Sequence, residues 1–198
     1  MFYIVALGNP GREYEETRHN VGWFMADALR EQYHFTAPVF SARYQGRVSH
    51  GQIEGNDIVL LYPDTFMNHS GVAVKKLVPR EEVSSLVVLY DDTALPLAEL
   101  KISHGRGDGG HNGIKSIITE LGTREFSRIR IGIAPRSWLT GAPKLITGEK
   151  LPKFVLGRFT TREQRELETK TSAVCDAVRL MVLHGVAFAM NRYNGVKE

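Results

Sequence analysis

The sequence predicts a single-domain α/β layer fold. Short β-rich runs alternate with segments of helical periodicity, no internal repeat or low-complexity tract interrupts them, and 198 residues suit one domain. With 42% hydrophobic positions, a chain of this size buries about 70% of the surface its unfolded form exposes, so it needs no covalent staple. Cys175 is the sole cysteine, which excludes a disulfide framework and a multi-thiolate zinc site.

Taken in order, Phe2 to Leu7 reads as a buried strand that ends at the turn cluster Gly8-Asn9-Pro10-Gly11. Val21 to Tyr33 reads as a helix, with Asn20 a candidate cap. Arg47 to Ile53 and Asp57 to Tyr62 read as paired strands joined through Glu54-Gly55-Asn56, and Ser70 as the cap of a short helix reaching Val78. Leu86 to Tyr90 and Glu99 to Ser103 are further strands. A glycine-rich loop follows over Gly105 to Gly110, then a helix over Gly113 to Leu121 that Gly122 stops. Ser127 to Ile133 alternates, with Ile129, Ile131 and Ile133 on one face and Arg128 and Arg130 on the other. Residues 135–153, rich in Pro, Gly and Lys, read as a long loop. Thr161 with Gln164 resembles a capping box opening one long helix, its buried stripe formed by Leu167, Val174, Val178 and Met181 up to Gly185. A last short helix runs through Asn191.

Composition narrows the function classes. The N-terminal run lacks a basic region before its apolar residues and turns polar at Gly8, unlike a signal peptide. No apolar run approaches the roughly 18 residues of a membrane span. These features predict a soluble, cytoplasmic protein. The net charge of +3 names no partner, but residues 51–100 carry three basic against eight acidic side chains and residues 101–150 carry nine against four. The second half is therefore the side expected to meet a polyanion.

Polar clusters stand where predicted strands end: Asn9, the Pro63 to Asn68 segment, and Asp91-Asp92. In open α/β sheets ligands bind beyond the carboxyl ends of strands. Among seven histidines, His19 stands out within Thr17-Arg18-His19-Asn20, just before a helix and near the first turn. An imidazole takes a proton from water near neutral pH, and works best when a carboxylate holds its other nitrogen. Asp91 or Asp92 is placed for that role. No Gly-x-Ser-x-Gly nucleophile elbow occurs, so water activated by a histidine is the simplest hydrolytic scheme. Gly8-Asn9-Pro10-Gly11 is not a dinucleotide fingerprint, Gly113-Ile114-Lys115-Ser116 carries one residue too many for a phosphate-binding loop, and no His-Glu-x-x-His spacing is present. Arg106-Gly107-Asp108 and the sequon Asn68-His69-Ser70 read as chance matches in a chain without a secretion signal.

These blocks together resemble one family. Gly8-Asn9-Pro10-Gly11 with Tyr14 and Thr17-Arg18-His19-Asn20-x-Gly22, then Pro63-x-Thr65-Phe66-Met67-Asn68-x-Ser70-Gly71, Asp91-Asp92, Gly109-Gly110-His111-Asn112-Gly113 and Arg128-Ile129-Arg130-Ile131-Gly132-Ile133 are similar to the bacterial-type peptidyl-tRNA hydrolases over nearly the whole chain, 1–198, as one domain. The resemblance implies a twisted mixed β-sheet flanked by helices, monomeric and free of metal and cofactor. It implies an esterase that frees tRNA from prematurely released peptidyl-tRNA. His19 then matches the general base, Asp91 its supporting carboxylate, and Asn9 the residue that distinguishes blocked from free aminoacyl groups. Tyr14, Phe66, Asn68 and Asn112 match contacts to the peptide and 3′ end, and Met67 and His111, in the same motifs, are expected among the substrate and tRNA contacts. Lys101 and Arg130 match positions assigned to tRNA phosphates.

Ordinary structural readings exist for several of these: Asn112 as a helix cap, Phe66 and Met67 as core, Asp91 as a turn residue, the arginine pair as a solvated sheet face. Other functional classes are a non-catalytic RNA-binding relative on the same scaffold and a metal-dependent hydrolase. The chain also departs from the family pattern at Ala94, where another acid is common, at Ser103, where a second cation is usual, and at Asp108 in a loop of small or neutral residues. These departures predict weaker or differently placed phosphate contacts.

Overall fold

The computed structural model describes residues 1–195 and contains one seven-stranded mixed sheet with helices on both faces. The strands are β1 (Phe2–Ala6), β2 (Val39–Ser41), β3 (Gly46–Ile53), β4 (Asn56–Pro63), β5 (Leu86–Pro96), β6 (Leu100–His104) and β7 (Ser127–Ala134), in the order β2-β3-β4-β1-β5-β7-β6. The helices are α1 (Val21–Gln32), α2 (Ser70–Leu77), α3 (Asn112–Leu121), α4 (Lys150–Val155), α5 (Thr161–Glu168), α6 (Thr171–His184) and α7 (Val186–Asn194). β1, β4, β5 and β7 are parallel to their shared neighbours, and β2, β3 and β6 add antiparallel edges.

Strand alternation divides the core in two. On β1, Ile4 and Ala6 join α1 and α6 residues such as Met25, Leu29, Val174 and Val178 on one face. Tyr3, Val5 and Leu7 join Val74, Ile114 and Ile117 of α2 and α3 on the other. Ile129, Ile131 and Ile133 are fully buried on the first face, as the period-two pattern requires.

This topology sets the position of the site. β1 connects through α1 leftward to β4, whereas β5 leads rightward to β7, so the chain leaves two adjacent parallel strands in opposite directions. The crevice that results at their carboxyl ends is where ligands bind in open α/β sheets.

Several local expectations need correction. β5 does not stop at Tyr90 but runs on to Pro96 with a register irregularity between Asp92 and Pro96, so Asp91 is a strand residue and not a turn residue. Ser70 is the first residue of α2, and its hydroxyl donates to the Met67 carbonyl instead of capping. The single long C-terminal helix is two, α5 and α6, broken at Thr169 and Lys170, and Leu167 and Val174, seven residues apart, preserve the apolar stripe across the break. The capping box is formed one residue earlier, by Thr160 and Glu163. The loop expected over 135–153 ends sooner, at the start of α4. The three-residue edge strand β2, whose Val39 and Phe40 are exposed, carries no periodic signal in the sequence.

Candidate active site

A groove of about 810 Å³ opens at this crevice. Asn9, His19, Phe66, Met67, Asn68, Asp91, Lys101, His111, Asn112 and Arg130 all line it. Tyr14 does not: it stands edge-on to Phe66, ring centroids 6.4 Å apart, and reaches the groove only through that ring. Phe66 itself is exposed, so it is not part of the core.

His19 arrives from a single 3₁₀ turn, Arg18–Asn20, immediately before α1. Gly22 lets that turn sit against the sheet, since a Cβ there would lie 2.5 Å from the Leu7 carbonyl and 2.6 Å from that of Leu89. Asn20 does not cap α1 with its side chain. It clamps Asn9 instead, accepting from the Asn9 N–H at 2.8 Å and donating to its carbonyl at 3.0 Å. The Asn9 side chain then accepts from the Met67 N–H through Oδ1 at 2.8 Å. With Oδ1 committed, the group Asn9 has to offer the groove is its Nδ2 donor.

The buried carboxylate of Asp91 organises the centre. One oxygen, Oδ1, accepts from His19 Nδ1 at 2.8 Å and from His111 Nε2 at 2.9 Å. The network assigns both tautomers. His111 Nδ1 accepts from the N–H groups of Gly113 and Ile114, capping α3, so its proton is on Nε2. A carboxylate only accepts, so His19 carries its proton on Nδ1 and leaves Nε2 as a lone pair. Burial works against an imidazolium at His19, but the charge of Asp91 and its hydrogen bond outweigh burial and raise the His19 pKa above its ordinary 6.5. Burial would also raise the Asp91 pKa; His19 and His111, through the charge each carries when protonated and through their hydrogen bonds, overcome this and hold it well below the usual carboxylate range.

His111, and not Asn112, is therefore the helix cap, and Asn112 stands exposed on the first turn facing the groove. Sequence alone favours Asn at such a position, so the cap and the second bond to Asp91 carried no local signal. The donor atoms of His19, Asp91 and His111 lie within 4.8 Å of one another, the one such trio among the described residues. Both ring nitrogens that face Asp91 carry protons in this arrangement, so a metal ion there would have to displace two hydrogen bonds.

The two arginines of β7 part company. Arg130 lines the groove with its Nε on Asp92 at 2.6 Å. Arg128 is buried under the loop that precedes α3, donating to the carbonyls of Gly107, at 2.7 Å, and Arg106, with its guanidinium over Phe126. The polar face of β7 is covered at that point, which alternation could not reveal. Asp108 closes the same loop by accepting from the Gly110 N–H at 2.7 Å. Lys101 is exposed at the groove edge. The far wall, which the sequence did not disclose, comes from aliphatic residues of α4 and from Met190 and Asn194 of α7. Among the described residues no helix is long and apolar enough to cross a membrane.

The sequence model of the family described as Peptidyl-tRNA hydrolase matches residues 3–198. Proteins named peptidyl-tRNA hydrolase are similar throughout their length. One from Thermodesulfovibrio yellowstonii is 37% identical over 98% of this chain and 99% of its own. One from Clostridium acetobutylicum is 36% identical over the full length of both. The crystal structure of peptidyl-tRNA hydrolase from Acinetobacter baumannii superposes with a TM-score of 0.84 at 32% identity, covering 100% of this chain and 96% of that one.

Proposed function

The chain belongs to the peptidyl-tRNA hydrolase family, and from that premise we propose that it hydrolyses the ester joining a peptide to the 3′-terminal ribose of tRNA, with His19 as general base. The observation that carries this reading is the buried Asp91–His19 pair, which fixes the tautomer whose Nε2 lone pair is free to accept a proton. His19 Nε2 takes a proton from water as the water oxygen attacks the ester carbonyl. The resulting imidazolium, stabilised by Asp91, returns the proton to the ribose oxygen as the carbon–oxygen bond breaks. Asn9 Nδ2 is a donor for the carbonyl oxygen as it gains charge.

Asn68, Asn112 and Phe66 present amides and an aromatic ring to the peptide and the terminal nucleotide. Lys101 and Arg130 face the phosphates. The carboxylates lining the groove are already engaged, Asp91 by His19 and His111, Asp92 by Arg130 and the Ala94 N–H, and Asp108 by the Gly110 N–H, so a free α-amino group entering there is penalised as an uncompensated charge, which supports selectivity for N-blocked substrates. The physiological result is tRNA recovered from prematurely released peptidyl-tRNA.

The test is release of tRNA from an N-blocked aminoacyl-tRNA, with chelator present, by wild type and by His19→Ala, alongside the unblocked ester. Fast wild-type release, lost in the variant and absent on the unblocked ester, is the expected result. Tight tRNA binding without release would replace the reading with a non-catalytic RNA-binding protein, and sensitivity to chelator would replace it with metal-assisted hydrolysis.

A further inference from the structure

Arg18, the neighbour of His19, has no part in the chemistry above, yet it is the most heavily engaged cation near the site. Its side chain is nearly buried. Nη1 donates to the Arg158 carbonyl at 2.8 Å, and Nη2 donates to both oxygens of Glu163, at 3.1 and 3.0 Å. The guanidinium carbon lies 4.7 Å from the Phe154 ring centroid and 5.4 Å from that of Phe159. The Arg18 backbone N–H donates to the Gly157 carbonyl at 3.0 Å. A Cβ at Gly157 would sit 3.0 Å from Nη1, so a glycine there leaves room for the guanidinium. Every one of these partners lies in residues 154–163.

That segment begins with the last two residues of α4, a helix that lines the groove through Leu151, Pro152 and Val155, with Leu156 just beyond it, while its lysines do not. α4 is six residues long and contains no fully buried residue. A helix so short is marginal in water without tertiary support. Phe154 and Val155 pack at the margin of the core, and the segment is attached to the catalytic turn by the Arg18 cluster, with the Thr17–Arg158 bridge, the Phe159 N–H to Glu16 carbonyl bond and the exposed Arg158–Glu16 ion pair beside it.

We propose that Arg18 is a positioning residue that latches α4 to the catalytic turn, so that the aliphatic wall stands at a set distance from His19 and binds the substrate held between them. The inference rests on the functional reading above. It assigns Arg18 to substrate binding through α4, and leaves proton transfer to the Asp91 pair. A lysine replaces it only in part, because a point charge supplies neither the fork for Glu163 and Arg158 nor the planar face for Phe154 and Phe159.

The experiment measures kcat and KM separately for Arg18→Ala and Arg18→Lys on N-blocked aminoacyl-tRNA, together with amide hydrogen exchange of the free protein. Arg18→Ala is expected to raise KM by about tenfold or more, the order set by one lost charge-assisted latch, with the pH midpoint of kcat/KM unchanged. Exchange protection falls over 150–157 and holds over 127–134. Arg18→Lys shows the same KM effect in smaller degree, and millimolar guanidinium lowers the KM of Arg18→Ala back toward wild type. Unchanged KM, unchanged protection of α4, or a shifted pH midpoint in the lysine variant would each overturn the latch. If Arg18→Ala does not fold, the lysine variant carries both readouts. If wild type itself releases no tRNA, the functional reading fails, while exchange over 150–157 still decides whether Arg18 holds α4.

Discussion

Asp91 and Asp92 are adjacent in one strand and serve two regions built on opposite terms. Asp91 is buried and takes two imidazoles on one oxygen, so its surroundings are supplied entirely by the protein. Asp92 is partly exposed at the groove edge, spending one oxygen on the Ala94 N–H and the other on Arg130. The inner region is a preorganised base whose electrostatics salt barely reaches. The outer region is a cationic rim partly neutralised from within, and salt screens it readily. The pair teaches that neighbouring carboxylates are told apart by what the fold brings to them.

The largest effects break the inner region. His19→Ala removes the base and lowers kcat by about 10²- to 10⁴-fold with the circular dichroism of the fold retained; near wild-type turnover refutes the assignment. Asn9→Ala removes the donor beside the carbonyl and lowers kcat by about 10²- to 10³-fold. A rise in KM alone would show that Asn9 only binds.

Changes at the rim act through salt. Lys101→Ala reduces the slope of log affinity against log salt by about 0.7–0.9, one phosphate contact's worth, measured by tRNA binding from 50 to 200 mM salt. Arg130→Ala reduces it by less, because Asp92 already holds that guanidinium, and Asp92→Asn steepens the slope by releasing it. Equal losses from both cations, with no response to Asp92→Asn, contradict the internal pairing. The smallest effect lies away from both regions: Thr160→Ala removes the capping box of α5 and costs about 1 kcal/mol of stability, read from denaturant unfolding, with kcat untouched.

How much of this was legible in the sequence follows the range of the interaction. The alternation of Ile129, Ile131 and Ile133, the β3–β4 hairpin and the halt of α3 at Gly122 are local patterns, and the structure has them. Although His19 lies in the turn before α1 and Asp91 within β5, not at its end, His19, Asp91 and Asn9 were legible as motifs. What joins them was not: Asn20 clamping Asn9, His111 capping α3 while bonding Asp91, and Arg128 buried beneath a loop are long-range choices that no periodicity records. The α5–α6 break stayed hidden for the opposite reason, since its apolar spacing reads straight through. The first residues of α4 read as loop because Lys150, Pro152 and Lys153 continue the Pro-, Gly- and Lys-rich composition of the run before them.

The central claim is that Asp91 sets the basicity of His19, and the pH profile of kcat/KM for wild type against Asp91→Asn tests it most directly. The base acts when neutral, so the wild-type rate rises with pH through a midpoint above 6.5, in line with the raised His19 pKa. In Asp91→Asn the opposing carboxylate is gone and burial alone remains, so the midpoint falls below 6.5 and the plateau drops. Two profiles with the same midpoint would show that Asp91 does not govern His19, and the account would fail there.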